Sequence, residues 1–388
     1  MTSAKKQSAG KGRFTERQSC RPFLEGSVSA MTEAGDRPLR FEPVQGLTVG
    51  EACLKAASYL SEQGVDEGRA NAERLLQHLL GIEPAGLLRD WRDPFPAERG
   101  VEWTALVSRK AAGEPVQYIV GEQWFYGLPF TVTPAVLIPR PETELLVEAL
   151  LAAADRLWPG AAGREPAPGS PAPTVVDVGT GSGAIAVTLA ARRPAWRVCA
   201  SDLSKDALAV ARLNAARHGA IARMAFAQGD LLRPFTAKPA GAKQEAAEDG
   251  TGTQGEPQAD VSASRRAHAE RNVRPPALET AGLRIDVLVS NPPYIPAADI
   301  EGLQREVRDH EPRLALDGGE DGLEPYRRML AQLPALAAIP RIVAFELGQG
   351  QAREVAQMLR DTGYGDEVRI IEDYAGIERH VIGFNRSC

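Results

Sequence analysis

The chain has 388 residues, of which 43% are hydrophobic and 25% charged, and these values exclude a wholly disordered or collagen-like protein. The formal net charge of −6 argues against a protein that coats nucleic acid through a broad basic face. No window approaches 18 consecutive apolar residues, so no transmembrane helix is predicted. The cysteines at 20, 53, 199 and 388 lie far apart, which predicts neither a disulfide framework nor a zinc site and fits a reducing cytoplasm.

Three segments carry few side chains that could pack into a core. Residues 1–45 are polar and aperiodic and are predicted to be a disordered extension; Met31 is an alternative start, and a mitochondrial presequence is an open alternative. The segment 159–173 is almost entirely proline, glycine and alanine, which is typical of a linker. An insertion at about 237–280 holds too few large apolar side chains to offset its ordering entropy, so a disordered surface loop is predicted.

Between the extension and the linker, the sequence predicts a small helical bundle followed by a hairpin. A capping box at Thr48–Glu51 begins the first of three amphipathic helices. The second helix ends at Gly81 and the third before Gly113. The alternating run 128–133 predicts a short hairpin, and a further helix follows Pro141.

From residue 174 onward, buried-type strands alternate with helices. Strands are predicted at 174–178, 197–201, 224–227, 285–290, 342–347, 368–372 and 380–384, and helices at 182–191, 204–217, 323–333 and 352–362. This alternation predicts an α/β fold with a mostly parallel, doubly wound sheet. The predicted domains are a helical domain, a hairpin with its connecting helix, and a sheet domain, at 46–127, 128–158 and 174–388.

A glycine-rich loop joins the first of these strands to its helix, with the sequence Asp-Val-Gly-Thr-Gly-Ser-Gly at 177–183. Glycines let the backbone approach a ligand closely, and the following helix N-terminus offers free amide groups. Asp202, at the end of the next strand, can accept both hydroxyls of a ribose. A permissive G-x-G-x-x-A pattern keeps a nicotinamide dinucleotide open as the ligand, although Asp177 argues against it, because a dinucleotide site is usually apolar beneath the loop.

The tetrapeptide Asn291-Pro292-Pro293-Tyr294 follows the fourth strand of the predicted sheet. An amide nitrogen is a poor nucleophile, so a site that methylates it must hold its hydrogens and orient its lone pair. Asn291 supplies a side-chain oxygen acceptor, the Pro292 carbonyl a second acceptor, and Tyr294 an aromatic face. The tetrapeptide resembles the signature of methyltransferases that act on planar amino groups, and it leaves adenine, cytosine, guanine and glutamine open as targets.

Seven further segments closely resemble the peptide-chain release factor glutamine methyltransferases, the PrmC/HemK family. They lie at 113–118, 121–125, 127–130, 137–144, 316–322, 346–351 and 373–379. The resemblance implies a seven-stranded, Rossmann-like class I methyltransferase domain that uses S-adenosyl-L-methionine. It also implies a cytoplasmic enzyme that methylates the side-chain nitrogen (N5) of the glutamine in the Gly-Gly-Gln loop of release factors, with a helical domain that docks this protein substrate.

The same resemblance assigns roles to individual residues. The methyl donor is expected at Gly179, Thr180, Gly181, Ser182, Gly183, Asp202, Asp230, Leu231 and Asn291. The glutamine is expected at Asn291, Pro292, Pro293 and Tyr294, and the catalytic residues are Asn291, Pro292 and Tyr294. Asp230 stands where the family holds the adenine amino group, and Leu231 stands where the family often has a stacking aromatic, so apolar packing is expected there instead.

Other polar residues receive structural interpretations. Asp309, His310 and Glu311 are consecutive helical positions that cannot converge on one metal ion, so a solvated face and no metal site are predicted. Glu142 and Glu144 are expected to flank a helix start, and a role for Arg140 at the cleft rim stays open. The alternative functions are a ribosomal-protein glutamine methyltransferase, a DNA or ribosomal RNA amino methyltransferase, and a nicotinamide oxidoreductase.

Overall fold

The computed structural model describes residues 41, 46–162, 169, 171–236, 280–364 and 367–385. The predictions of a disordered extension and a disordered insertion therefore lie almost entirely outside the described residues. The same holds for the middle of the predicted linker, whose first residues form a single helical turn at Pro159–Ala161.

The first part of the described chain is a helical bundle that encloses the side chain of Trp103. Its helices are α1 (Val49–Glu62), α2 (Gly68–Leu80), α3 (Pro84–Arg89), α4 (Gly100–Ala111) and α5 (Val116–Val120). The predicted capping box is present, since the Thr48 hydroxyl accepts from the Glu51 amide and the Glu51 carboxylate accepts from the Thr48 amide. The sequence predicted only three helices, because α3 and α5 are too short to show a periodic apolar pattern.

A two-stranded hairpin follows the bundle, with β1 at Glu122–Phe125 and β2 at Leu128–Thr131. The prediction of a hairpin within 128–133 was wrong, because this run forms only the second arm. The first arm, Glu-Gln-Trp-Phe, shows no alternation of apolar and polar residues, so its sequence carries no strand signal even though Phe125 is buried. Tyr126 and Gly127 both have positive φ, as expected for a two-residue type I′ turn.

The remaining elements alternate between helices and strands. They are α6 (Pro141–Leu157), β3 (Thr174–Val178), α7 (Ala184–Arg192), β4 (Arg197–Asp202), α8 (Lys205–Arg217), β5 (Met224–Gln228), β6 (Val287–Ser290), α9 (Arg305–His310), α10 (Glu324–Gln332), β7 (Ile342–Glu346), α11 (Ala352–Leu359), β8 (Val368–Glu372) and β9 (Glu378–Phe384). All seven strands predicted for the sheet are present, and their ends agree with the prediction within two residues.

The seven strands form one twisted sheet in the order β5-β4-β3-β6-β7-β9-β8. The first five are parallel, and β9 runs antiparallel to both of its neighbours. Alternate strand residues face opposite layers, so Val175 packs toward α6 and α7 while Val176 packs toward α10 and α11. The predicted doubly wound seven-stranded sheet is therefore confirmed. Because β3 lies between β4 and β6, the carboxyl ends of these three strands meet at the edge where such folds bind ligands.

An ion pair ties the helical bundle to the sheet domain. The ammonium of Lys110 on α4, whose side chain is almost completely buried, contacts the Glu306 carboxylate on α9. It also donates to the Glu114 carbonyl at 3.3 Å. In the part of the chain that the structure describes, no helix is both long and apolar enough to cross a membrane.

Removing each partner of this ion pair should have unequal effects on stability. Glu306→Ala leaves the buried Lys110 charge without its anion, and we expect the free energy of unfolding to fall by about 2 kcal/mol. Lys110→Met removes the charge together with its need for a partner, so the loss should be smaller. Urea unfolding of the two full-length variants measures the difference, and equal losses would contradict the assignment of Lys110 as a buried cation that depends on Glu306.

Candidate active site

A cavity of about 420 Å³ lies at the carboxyl edge of the sheet. Nine of the residues predicted for the site line it, namely Gly179, Thr180, Gly181, Ser182, Asp202, Asp230, Leu231, Asn291 and Pro293. The other predicted residues, Gly183, Pro292 and Tyr294, do not line this cavity. The structure thus brings the glycine loop, the acid after β4 and the tetrapeptide after β6 around one space.

The carboxylate of Asp202 is held in place by the backbone of two loops. Its Oδ2 accepts from the Gly181 amide at 2.9 Å, and its Oδ1 accepts from the Ser204 amide at 2.8 Å. Burial raises the pKa of Asp202, while these backbone hydrogen bonds lower it. Gly181 has a φ of +55°, a conformation that favours glycine. Each carboxylate oxygen keeps a further lone pair, so the group can still accept from ligand hydroxyls.

A second acid, Asp177, lies beneath the glycine loop and is fully buried. Its Oδ2 accepts from the Thr180 hydroxyl at 2.7 Å and from the Ala186 amide at 3.2 Å. Its Oδ1 has no hydrogen-bond partner among the described residues. Burial raises the pKa of Asp177 to about 7, against an ordinary value of 3.8. The Thr180 side chain therefore faces this acid and shapes the loop from below.

Gly183 supports the loop by packing, since it lies outside the lining of the cavity. It precedes α7 with a φ of +81°, and a Cβ at this position would lie 3.2 Å from the Cβ of Ala211 on α8. Ser182 is also buried, and its carbonyl accepts from Asn214 Nδ2 at 2.8 Å. The end of the loop is thus fixed against α8.

Asp230 and Leu231 follow β5 and are held from the side of α10. The Asp230 Oδ2 is 2.5 Å from the Arg328 guanidinium, so this carboxylate is already engaged by a cation. Leu231 has a φ of +53°, an uncommon conformation for a residue with a side chain. The next amide, of Leu232, donates to Gln332 Oε1 at 2.8 Å. These contacts orient the turn toward the cavity.

Asn291 enters the cavity directly after β6. Its Nδ2 donates to the hydroxyl of Thr143 on α6 at 3.2 Å. Pro292 is buried, and Pro293 is partly exposed to the cavity. The carboxamide of Asn291 is therefore held by α6, a helix that precedes the first strand of the seven-stranded sheet.

Tyr294 is fixed by two segments that come from later in the chain. Gln351 donates from Nε2 to the Tyr294 carbonyl at 2.9 Å and accepts at Oε1 from the Gly348 amide at 2.9 Å. A Cβ on Gly322 would lie 2.3 Å from the Tyr294 carbonyl oxygen, and one on Gly318 would lie 2.8 Å from its Cα, so only glycine permits this approach. Burial raises the pKa of Tyr294 to about 12, and the phenol stays neutral at physiological pH.

Comparison with known proteins identifies the family. Residues 51–121 match the family described as the PrmC N-terminal domain, and residues 175–241 match a methyltransferase domain. The release factor glutamine methyltransferase of Moorella thermoacetica is 37% identical over 341 residues, which cover 88% of this chain and 99% of that protein. The one from Geobacter sulfurreducens is 38% identical, with 84% of this chain and 92% of that protein covered. The chain belongs to the release factor glutamine methyltransferase family.

More distant similarity is seen among solved structures. A human methyltransferase 10 domain containing protein aligns over 67% of this chain and 89% of its own, at 16% identity and a TM-score of 0.39. This similarity is too low to carry an argument about function, so the family membership rests on the sequence relatives.

Several cavity residues of this family member were not predicted from its sequence. They include Leu137, Pro139, Thr143, Leu314, Glu324 and Arg328. These side chains come from segments outside the sheet, and no local pattern indicates that α6 and α10 reach the same edge. The family-matched run 137–144 was the available signal, because it combines apolar and charged residues immediately before a helix.

The prediction of a solvated face at residues 309–311 is wrong for Glu311. The Glu311 side chain is buried and contacts the guanidinium of Arg140 at the cavity rim. It also accepts from the Ile138 amide at 3.3 Å. The physical reason is that α9 ends at His310, so Glu311 leaves the helical face and turns inward. Among the residues that the structure describes, no cluster of three or more His, Cys, Asp or Glu could hold a metal ion.

Replacing Asp177 with Asn should change how stability depends on pH. The folded protein keeps the Asp177 proton up to about pH 7, whereas the unfolded chain releases it near 3.8. The shifted pKa of Asp177 therefore contributes to the stability of the wild type. This contribution is fully present below pH 3.8 and is lost as the pH rises toward 7. We expect Asp177→Asn to gain a few kcal/mol relative to wild type between about pH 4 and pH 8, measured by urea unfolding without donor.

His380 has the opposite pH dependence, because burial lowers its pKa to about 4. It is present in both proteins, so its contribution cancels in the difference. Glu148→Gln removes an exposed carboxylate from α6 and serves as the control, with a curve parallel to that of the wild type. A difference between Asp177→Asn and wild type that stays constant across the pH range would refute the raised pKa.

Proposed function

We propose that this protein transfers a methyl group from S-adenosyl-L-methionine to the side-chain N5 of the glutamine in the Gly-Gly-Gln loop of peptide-chain release factors. One observation carries the proposal. In a member of the release factor glutamine methyltransferase family, the Asn291 carboxamide stands at the carboxyl end of β6, beside the glycine loop that follows β3.

The residues around the cavity fit the methyl donor. Asp202 offers carboxylate lone pairs to ribose hydroxyls, and the open approach at Gly179 and Gly181 leaves room for a ligand against the backbone. The acids Asp177 and Asp202 beside the loop suit a cationic sulfonium, which would favour the ionised form of Asp177, and they oppose a pyrophosphate. When bound, S-adenosyl-L-methionine supplies an electrophilic methyl group on its positively charged sulfur.

The protein's own residues would act by positioning the amide. The Asn291 side-chain oxygen and the Pro292 carbonyl accept the two amide hydrogens, which directs the nitrogen lone pair toward the donor. Tyr294 holds the planar amide with its neutral aromatic ring. Asn291 and the backbone of Tyr294 are held by the contacts described above, so they need little rearrangement when the glutamine enters. No covalent intermediate with the protein is required.

Asp202→Ala should weaken binding of the donor. Loss of charge-assisted hydrogen bonds to the ribose is expected to raise the Kd of S-adenosyl-L-methionine roughly 10-fold to 100-fold. Isothermal titration of the purified protein measures this Kd directly. Asp206→Ala, at an exposed position in the first turn of α8, is the matched control and should bind as the wild type does. An unchanged Kd for Asp202→Ala would remove Asp202 from the donor site.

Asn291→Ala should abolish turnover while donor binding is largely kept. The variant loses one of the two acceptors for the amide hydrogens, and we expect kcat to fall by about two orders of magnitude or more. The assay incubates the protein with labelled S-adenosyl-L-methionine and a release factor, and mass spectrometry maps the modified residue. Gln357→Ala, at an exposed position on α11, is the control.

The same assay tests the function itself. An unmodified Gly-Gly-Gln glutamine with the wild-type protein would refute the proposed substrate, and full turnover by Asn291→Ala would refute the proposed role of that residue. Ribosomal protein fractions and duplex DNA, offered in parallel, test the two alternative classes of methyl acceptor. Two different release factors, assayed side by side, would show which is preferred.

The helical domain predicted at 46–127 would dock the release factor and present its glutamine to the cavity. Support comes from the family match of this region and from its connection to the sheet domain through Lys110 and Glu306. Since release factors act on ribosomes, the proposal also implies that the protein works in the cytoplasm.

A further inference from the structure

A buried acid that the proposed reaction does not use lies directly behind Asn291. Glu346 is the last residue of β7, and its side chain is 2% exposed. It stands opposite His380 in the antiparallel pairing of β7 with β9, with 3.9 Å between Glu346 Oε2 and His380 Nε2. A fully desolvated carboxylate is costly unless it accepts hydrogen bonds, so its partners indicate what it does.

The side chains of Thr143 and Asn291 lie beside this carboxylate, because the parallel pairing of Ser290 with Phe345 sets Asn291 next to Glu346 where β6 and β7 end. Burial raises the pKa of Glu346 to about 7, and the polar groups of Thr143 and Asn291 lower it. The Glu346 Oε2 has no hydrogen-bond partner among the described residues. The same two side chains also contact each other, since Asn291 Nδ2 is 3.2 Å from Thr143 Oγ1. The three side chains form one network of neighbouring polar groups, which joins α6, β7 and the end of β6.

The donor and acceptor properties of this network allow one orientation of the Asn291 carboxamide. An ionised carboxylate can only accept, so the hydrogen of the Thr143 hydroxyl goes to Glu346, and the hydroxyl lone pairs remain for Asn291. The group of Asn291 that faces both partners must therefore be its NH2. A carboxamide rotated by 180° would set its oxygen against the lone pairs of Glu346. When Glu346 is protonated, the single orientation of Asn291 requires the proton to be on Oε2, the oxygen that lies 3.9 Å from His380 Nε2, so that Oε1 still accepts.

We propose that Glu346 is a positioning residue which, together with Thr143, holds the NH2 of Asn291 inward and so presents its Oδ1 to the substrate amide. This inference rests on the proposed function, because the direction of Oδ1 matters only if that oxygen accepts an amide hydrogen. Glu346 does not touch the substrate. Its contribution is to exclude the orientation of Asn291 in which a donor would meet the donor groups of the glutamine.

The decisive comparison is between Glu346→Met and Glu346→Gln. Methionine keeps the volume and loses the acceptor, so we expect kcat for release-factor methylation to fall by about two orders of magnitude, with the Kd of S-adenosyl-L-methionine changed less than about threefold. Glutamine restores an acceptor oxygen toward Asn291 and can direct its NH2 toward the His380 ring, whose Nε2 is 3.9 Å from the Glu346 Oε2, so it should recover most of the wild-type kcat. Glu148→Met and Glu148→Gln, on the exposed face of α6, are the matched controls.

Thr143→Val provides a second route if Glu346→Met does not fold. It removes the hydroxyl and keeps the side-chain shape, and we expect kcat to fall; where Glu346→Met folds, the two losses should not be additive, because both break one network. Thr143→Ser should behave as the wild type does. Equal kcat for Glu346→Met and Glu346→Gln, or full activity of Thr143→Val, would overturn the proposal.

A spectroscopic measurement makes the inference independent of the substrate. The chain has five asparagines, so selective ¹⁵N labelling gives five side-chain amide pairs, and Asn291→Ala identifies the one of interest. In the wild type the Asn291 NH2 hydrogens should exchange slowly with solvent, and in Glu346→Met or Thr143→Val they should exchange rapidly. If the wild type fails to methylate a release factor, the proposed function is refuted, while this exchange measurement still decides the contact. Unchanged exchange in both variants would refute the network.

Discussion

The candidate site depends on the parallel pairing of β3 with β6. In this register Val178 lies opposite Ser290, whose hydroxyl donates to the Val178 carbonyl at 2.6 Å. Both strands end at this pair, so Gly179 and Asn291 leave the sheet from neighbouring positions. A slip of one residue would shift Asn291 by about 3.3 Å along the strand and turn every side chain of β6 to the opposite face. Because both strands are buried on both faces, such a slip is strongly disfavoured, and the distance between the loop and the tetrapeptide is a property of the sheet itself.

The edge created by this pairing concentrates acids that are expensive to bury. Asp177 and Glu346 both have pKa values raised to about 7 by burial, and burial also raises that of Asp202. The three carboxyl groups differ in the hydrogen bonds that offset the free-energy cost of burying them. Asp202 accepts two backbone hydrogen bonds, whereas Asp177 and Glu346 each keep one oxygen without a hydrogen-bond partner among the described residues. A cationic ligand above the loop would favour ionised Asp177, so binding of the ligand and release of the Asp177 proton would be coupled.

The sequence predicts the parts of this arrangement that depend on local pattern. The strand positions, the capping box, the glycine loop and the position of Asn291 after β6 follow from periodicity and turn chemistry, and the structure has each of them. What the sequence does not predict is the meeting of distant segments. Neither Thr143 nor Glu346 belongs to a local pattern that points at Asn291, and Glu311 was assigned to solvent because its inward turn depends on where α9 ends. The resemblance to the family marked these segments as important without indicating which contacts they make.

Those contacts give a structural role to segments far from the tetrapeptide that also resemble the family, at 316–322 and 346–351. Gly318 and Gly322 are needed because the backbone at Tyr294 passes too close to them for any Cβ, and Gln351 binds the Tyr294 carbonyl from the opposite side. A ring that orients a planar amide must itself be fixed, and a loop residue has too few neighbours of its own to achieve this. Rigidity at the end of β6 is therefore supplied by glycines and a glutamine that need not contact the substrate. The positions of Asn291 and Tyr294 therefore depend on contacts with segments that are far apart in the sequence, and the geometry of the site is fixed by those segments.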